Sequence, residues 1–260
     1  GPLSESAGLP GVVQNRPGGA GAIAADAVLA APVESGALLL GGLDHVAYSH
    51  LGNNRRPLDP LVDFLPVGSV NRDSWVVVVA TGSPIRSIRE LSEAARSTTL
   101  GYASNGEGST PHLLTARLAR ALQLHAVHVP YKDSYVPDLV AQRIQFVVAP
   151  LPAMLPHIRA GRLRALASLT DARLAVLEDV PSIQVFHGGL FLFAPAALTR
   201  IGPDINRWLV AAVKRPEVQE HYAKAGIEPV HHDLAQVRAA VVDRLRLVDA
   251  LREVVFGAKR

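Results

Sequence analysis

Thr99-Leu100-Gly101-Tyr102-Ala103-Ser104-Asn105-Gly106-Glu107-Gly108-Ser109-Thr110-Pro111-His112 is the stretch on which the reading of the fold turns. Thr99–Tyr102 predicts a strand. Thr110–Leu122 predicts a helix, with Leu114, Leu118, Ala121 and Leu122 on one face. Thr110 is the natural N-cap and Pro111 the first helical residue. On that reading the amides of Ser109, Thr110, His112 and Leu113 are unpaired or partly paired. With the hydroxyls of Ser104, Ser109 and Thr110 they form an anion site at the positive end of a helix. A plain capped helix start is the alternative, and it stays open. Glu107 opposes an anion, so it must face solvent, pair with an arginine or meet a cationic part of a ligand. A G-x-S-x-G elbow is missing here, so a serine hydrolase has little support.

Outward from this unit the chain keeps alternating. Val12–Gln14 is a short strand candidate, followed by a glycine turn and a helix over 20–31. Ala37–Gly41 is a buried apolar run, and Val67–Val70 and Trp75–Ala80 read as strands. A helix over 85–96 carries Ser87 and Glu90 at capping-box spacing. Val127–Val129, Ile144–Ala149 and Leu163–Ser168 read as strands, with helices over 136–141 and 153–160 between them. Such alternation predicts an α/β fold with parallel sheets. After Ala194 the pattern turns helical, over 204–214, 216–225 and 234–255. Trp75–Ala80 and Leu190–Ala194 bracket a block of about 100 residues, an ordinary domain size. The expectation is two α/β lobes joined by these two crossover strands with a cleft between them. Residues 1–80 and 191–260 form lobe 1, and 81–190 form an inserted lobe 2.

Composition narrows the function classes. The 260 residues are 48% hydrophobic and 19% charged, an ordinary globular mix. There is no cysteine, which excludes disulfide scaffolds, thiolate metal sites and cysteine nucleophiles. Net charge is +3 and the pI about 9.4. Aromatics are only 5% and the arginines are scattered, which argues against nucleic acid as a partner. No run approaches the ~20 apolar residues of a membrane span. Gly1-Pro2 reads as a protease scar, so the lack of a leader does not argue for the cytoplasm.

Three further constellations are candidates. Gly19-Ala20-Gly21-Ala22-Ile23-Ala24 fits the G-x-G-x-x-A dinucleotide pattern, and Asp44 stands where an acidic residue should meet the ribose. Asn15, Arg16 and Pro17 intervene between strand and glycines, so a turn that packs a small-residue helix against a sheet is the competing reading. Gly41-Gly42-Leu43-Asp44-His45 follows a strand, and Asp44 there either accepts from a ligand or caps a helix. His125 and His128 point to opposite faces of one strand, and no fixed ligand spacing supports a metal.

Several segments resemble one family. Gln14–Gly21 is similar to the E-N-R-P-G-A-G-G segment of the tripartite tricarboxylate transporter receptors, the Bug family of periplasmic solute-binding proteins. Leu58–Pro60 with Phe64–Val67 resembles L-x-Y-D-P-x-x-D-F-x-P-V, and Tyr102–His112 resembles Y-G-S-x-G-x-G-T-S-S-H. His128–Lys132 resembles H-V-P-Y-K-G, and Leu155–Ala167 resembles L-P-H-I-K-A-G-K-L-R-A-L-A. Val180-Pro181-Ser182 stands at D-V-P-T, and Gly189–Phe191 with Ala194-Pro195 echoes G-L-F-A-P.

The resemblance implies a type II periplasmic-binding-protein-like fold and a receptor that is not an enzyme and needs no cofactor. It implies capture of a small carboxylate-bearing solute (organic acid, amino acid or pyridine carboxylate), passed to membrane permease subunits. Ligand-contacting residues on this view are Gly42, Leu43, Asp44, Ser104, Asn105, Gly106, Ser109, Thr110, His112 and Tyr131. Family members carry a further strand and a P-G-G ligand loop ahead of the N-R-P-G segment, so half of the expected site lies outside this sequence. Departures from the family pattern are Asp133 after V-P-Y-K, Gln142-Arg143 for G-G, and Gly42-Leu43-Asp44 for a T-S-G-like loop. Asp44, Glu107 and Asp133 add negative charge near an anion site, which suits a ligand bearing a cationic or amide group beside its carboxylate. The alternatives are an NAD-dependent enzyme using Gly19–Ala24 and Asp44, and a degenerate receptor-like protein with a signalling role.

Overall fold

The computed structural model describes residues 1–47, 57–170, 173–183 and 189–256. In chain order the elements are α1 (Pro2–Ala7), α2 (Ala22–Leu29), β1 (Leu39–Gly41), α3 (Leu43–Ala47), β2 (Phe64–Ser69), β3 (Asn71–Arg72), β4 (Trp75–Ala80), α4 (Ile88–Ser97), β5 (Leu100–Ser104), α5 (Thr110–Ala121), β6 (Ala126–Pro130), α6 (Val136–Val140), β7 (Val147–Pro150), α7 (Leu151–Arg159), β8 (Leu163–Ser168), β9 (Phe191–Pro195), α8 (Gly202–Val213), α9 (Pro216–Ala225), β10 (Glu228–Pro229) and α10 (Leu234–Phe256). No described helix is long and apolar enough to cross a membrane.

The chain divides into two compact units, Gly1–Arg72 with Gly189–Leu247, and Asp73–Gly188 with Val248–Arg260. The division on the N-terminal side falls at Arg72/Asp73 rather than after residue 80. The reason is β4. Its residues from Trp75 to Ala80 are all buried, and it pairs with β7 on one side and β8 on the other. It is the middle of the second unit's sheet rather than a crossover.

In the first unit β9 lies between β1 and β2 and runs antiparallel to both. Val67, Leu192 and Ala194 meet Ile205, Leu209 and Val213 of α8, so one face of the sheet is buried against one helix. Asn206 of α8 donates to the Val67 carbonyl at 2.9 Å and to the His232 carbonyl at 3.0 Å, which satisfies a polar side chain inside that interface.

In the second unit β5 and β6 pair in parallel, and a parallel bridge between Tyr102 and Phe146 joins β5 to the start of β7. β4 runs antiparallel to β7 and β8. The second unit's sheet is therefore mixed and the first unit's pairs are antiparallel, not parallel as the alternation suggested. Sequence alternation reports the β-α-β crossovers of β5, β6 and β7, but not the direction of a strand entering from outside them. Leu139, Val147, Ala149, Leu151 and Leu155 fill the core on one side of this sheet.

Helix starts follow local chemistry. Ser87 Oγ accepts from the Glu90 amide at 3.1 Å and Glu90 Oε2 from the Arg86 amide at 2.5 Å, so the capping pair forms one residue wider than a standard box. Val12–Gln14 is not a strand; Val12 and Val13 are 87% and 89% exposed. β-propensity without a partner or a buried face does not make a strand.

Gln142 closes α6 at φ 58°, a left-handed conformation. Gln142→Gly should raise the unfolding free energy by about 0.5–1 kcal/mol, the left-handed penalty less glycine's extra entropy. A urea midpoint shifted upward at unchanged slope is the expected reading; an unmoved or lower midpoint contradicts it.

Candidate functional site

Three parallel strands end at one edge of the second unit's sheet, at Ser104, Pro130 and Pro150. The loop after β5 is closed by the Ser104 hydroxyl. Ser104 is fully buried, and its Oγ accepts from the Gly106 amide at 3.0 Å, lies 3.0 Å from the Gly106 carbonyl and 2.6 Å from His128 Nε2. The Gly106 carbonyl also accepts from Ser109 Oγ at 2.7 Å and from the Ser109 amide at 3.3 Å. Gly106 and Gly108 have φ of +118° and +76°, so this tight turn needs residues without a Cβ. The Ser104 carbonyl accepts from the Tyr131 amide at 2.9 Å, which ties the loop to the one after β6.

That geometry corrects the expected helix start. α5 begins at Thr110 with Ser109 before it, and the Ser109 hydroxyl turns back on Gly106 instead of capping. The Ser109 and Leu113 amides are engaged, the latter with the Ser109 carbonyl at 3.0 Å. Asn105 and Glu107 are exposed on the rim, and among the described residues their backbone amides donate to no protein group. Two of the four amides expected at the helix start, those of Ser109 and Leu113, are thus engaged within the protein, and unengaged amides lie earlier in the loop, at Asn105 and Glu107. The difference comes from a loop that satisfies its own interior polar groups first.

His112 is buried, at 5% exposure, and its Nδ1 accepts from the Gly108 amide at 3.2 Å. Its ring stacks on His128 with centroids 3.8 Å apart and planes 7° from parallel. Tyr102 lies against both rings, at 6.3 Å and 5.2 Å, and Phe146 lies 5.8 Å from Tyr102. Burial pushes the His112 imidazolium down to about 4, with His128 adding repulsion. Burial also lowers His128, against a smaller upward pull from Glu107. Burial raises the Tyr102 hydroxyl to about 12. Both imidazoles are thus neutral near pH 7. His112 faces inward, and the partner of His128 is His112 on another element, a pairing that strand periodicity does not reveal. Among the described residues no three His, Asp or Glu side chains come together as metal ligands.

Tyr131 uses its hydroxyl on Asp138 Oδ2 at 2.7 Å, and Asp138 Oδ1 takes Arg143 at 2.8 Å. The bond to Tyr131 and then Arg143 hold the Asp138 carboxyl down, while the Tyr131 hydroxyl is raised by Asp138. Tyr131 fixes the course of the loop after β6.

A depression of ≈ 310 Å³ lies beside these strand ends, lined by Asn105, Lys132–Val136, Ala153, Met154 and His157. Lys132 and Asp133 are exposed and make no hydrogen bond or ion pair among the described residues. Of the sequence candidates only Asn105 lines it. Lys132, Ser134, Met154 and His157 were missed. Their signal was available: the crevice rule that selected the loop after one strand applies equally to the loops after Pro130 and Pro150.

Gly42, Leu43 and Asp44 belong to the first unit. The Gly42 amide donates to His45 Nδ1 at 3.2 Å, and Leu43 and Asp44 are buried in the first turn of α3. Gly19–Gly21 is a 3-10 turn with no strand leading into it. A Cβ at Gly21 would fall 2.6 Å from His45, and one at Gly41 2.7 Å from His45 Nδ1. The glycines admit a packed histidine, so the dinucleotide reading is overturned and the packing turn stands.

Comparison with known proteins agrees with this architecture. Residues 2–254 match the family described as "Tripartite tricarboxylate transporter family receptor". Protein BugT of Bordetella pertussis is 32% identical over 273 residues, covering 99% of this chain and 82% of that protein. A UPF0065 protein in the tcbD-tcbE intergenic region of Pseudomonas sp. strain P51 is also 32% identical, over 87% of this chain and 71% of its own length. Among solved structures, R. palustris Rpa4515 with adipate superposes with a TM-score of 0.90 at 26% identity, over 97% of this chain and 89% of that one. Periplasmic binding protein BugD superposes at 0.83 with 21% identity, over 97% and 88% of the two chains, which speaks for the fold alone. The fold is the two-lobed α/β fold of periplasmic binding proteins, and the chain belongs to the tripartite tricarboxylate transporter receptor family of solute-binding receptors.

Proposed function

We propose that the protein is a periplasmic receptor that binds a small carboxylate and delivers it to the permease of a tripartite tricarboxylate-type transporter. The observation that carries this reading is the depression at the carboxyl ends of β5, β6 and β7, where the Lys132 cation meets the unengaged rim of the Ser104–His112 loop. Asn105 lines the depression and offers its side chain and an unengaged backbone amide, the Glu107 amide lies two residues further in the same loop, and Lys132 supplies charge. Val136, Ala153 and Met154 give the solute's carbon body an apolar wall. Adipate, which the R. palustris relative is described with, has this combination of carboxylate and hydrocarbon. Asp133 lines the same depression, which favours a solute with an amino or amide group as well. The receptor reading supplants the enzyme alternative, because the fold and family are those of binding proteins.

A thermal-shift screen with adipate, malate, amino acids, nicotinate and NAD(H) tests the reading. At 100 times its dissociation constant a bound carboxylate stabilises by about 2.7 kcal/mol, a rise of about 5–10 °C for a chain of this length. One carboxylate-bearing compound is expected to produce it. Silence across the carboxylates, or a response to NAD(H) alone, overturns the proposal.

Lys132→Ala should weaken the responding carboxylate about 10–100-fold by calorimetry, the worth of one charge-assisted hydrogen bond. Asp133→Ala should weaken an amino-bearing carboxylate and spare a plain dicarboxylate. Plain dicarboxylates that bind the wild type as well as amino-bearing ones contradict the assignment to Asp133.

A further inference from the structure

We infer that His112 and His128 are positioning residues, a stacked pair of neutral imidazoles that fixes the Ser104–His112 loop in its solute-binding shape and releases it in acid. The inference rests on the reading of that loop as the solute loop. Each ring holds one end of the turn: His128 Nε2 meets Ser104 Oγ at 2.6 Å, and His112 Nδ1 accepts from the Gly108 amide at 3.2 Å. The two contacts bracket the exposed segment whose Asn105 and Glu107 amides have no protein acceptor among the described residues.

The His112 contact requires a lone pair on Nδ1. Protonation there sets N–H against N–H and removes the Gly108 acceptor. Face-to-face stacking at 3.8 Å adds like-charge repulsion when a second imidazole ionises. Among the described contacts the groups facing the pair are Tyr102 and Ser104 from β5, Glu107 from the loop, and the two imidazoles themselves from α5 and β6. Phe146, before β7, backs Tyr102 and carries no charge. Tyr102 is protonated throughout the neutral range, and Glu107 on the rim pulls His128 upward against its burial.

The sign follows from linkage. The closed loop holds His112 neutral, with its pKa lowered from 6.5 to about 4, while the opened loop returns it to its ordinary value. Closure is therefore fully favoured above pH 6.5 and is lost as pH falls toward 4. Between pH 7 and pH 5 the opened population should rise about twentyfold.

Hydrogen–deuterium exchange of the full chain tests this without a ligand. In wild type, exchange of the hydrogen-bonded loop amides of Gly106, Gly108 and Ser109, corrected for the intrinsic pH dependence, should accelerate about twentyfold from pH 7 to pH 5, while β4 and β8 stay unchanged. The double variant His112→Asn with His128→Gln keeps an acceptor and a donor at the same places and does not titrate; its loop should be equally protected at both pH values. His112→Phe keeps the ring and loses the acceptor, so its loop should exchange fast at both. A wild-type loop indifferent to pH overturns the inference, as does acceleration that survives in the double variant. Because exchange is read on the free protein, a failed carboxylate screen would sink the receptor reading and leave this result intact.

Discussion

A parallel strand that hands directly to a helix must turn sharply while leaving few buried polar groups unpaired, and here one hydroxyl makes that possible. Ser104 Oγ is shared between the amide and carbonyl of Gly106 and the imidazole of His128. The glycines at 106 and 108 supply the backbone angles, and the Ser109 side chain completes the shell around the same carbonyl. With the inside of the turn satisfied by its own atoms, the amides left without a protein acceptor are those of the exposed residues Asn105 and Glu107. The solute-binding character proposed for the loop is a consequence of how the turn solves its interior.

The sheet sets the loop's surroundings. Because β5, β6 and β7 run in parallel, three exit loops open at one edge, and Lys132 and Met154 arrive beside Asn105 from two of them. The Tyr131–Asp138–Arg143 chain holds the middle loop, and the Tyr131 amide bonds the Ser104 carbonyl. Charge near the depression is mixed, with Lys132 against Asp133 and Glu107, so selectivity would rest on where a solute places its charges. The proposed imidazole pair adds a condition on the same geometry: buried rings keep the turn closed only while they are neutral.

Much of this was legible beforehand for physical reasons. Alternation of strand and helix patterns exposed the α/β units, and motif order exposed the family. Pro216 and Gly226 bounded α9 at the expected residues. Strand direction was not legible, since β4 owes its antiparallel setting to partners far along the chain. Nor was the His112–His128 stack, which joins residues 16 positions apart on different elements. The engagement of the Ser109 amide and hydroxyl by Gly106 was hidden for a related reason. Capping rules treat a helix end as open, whereas the Ser109 hydroxyl serves the loop behind it. Val12 and Val13 misled in the other direction, as strand-forming residues with no sheet to join.

On the proposed reading a carboxylate is taken by the unengaged amides of the Ser104–His112 loop, at Asn105 and Glu107. Backbone amide chemical shifts of isotope-labelled protein, followed during titration with the carboxylate that most stabilises the fold, test it most directly. The account predicts saturable shifts centred on the Asn105 and Glu107 amides. It predicts far smaller changes in the first unit at Gly19–Gly21, where the glycines serve packing. Saturation of binding with the Asn105 and Glu107 amides unmoved would contradict it.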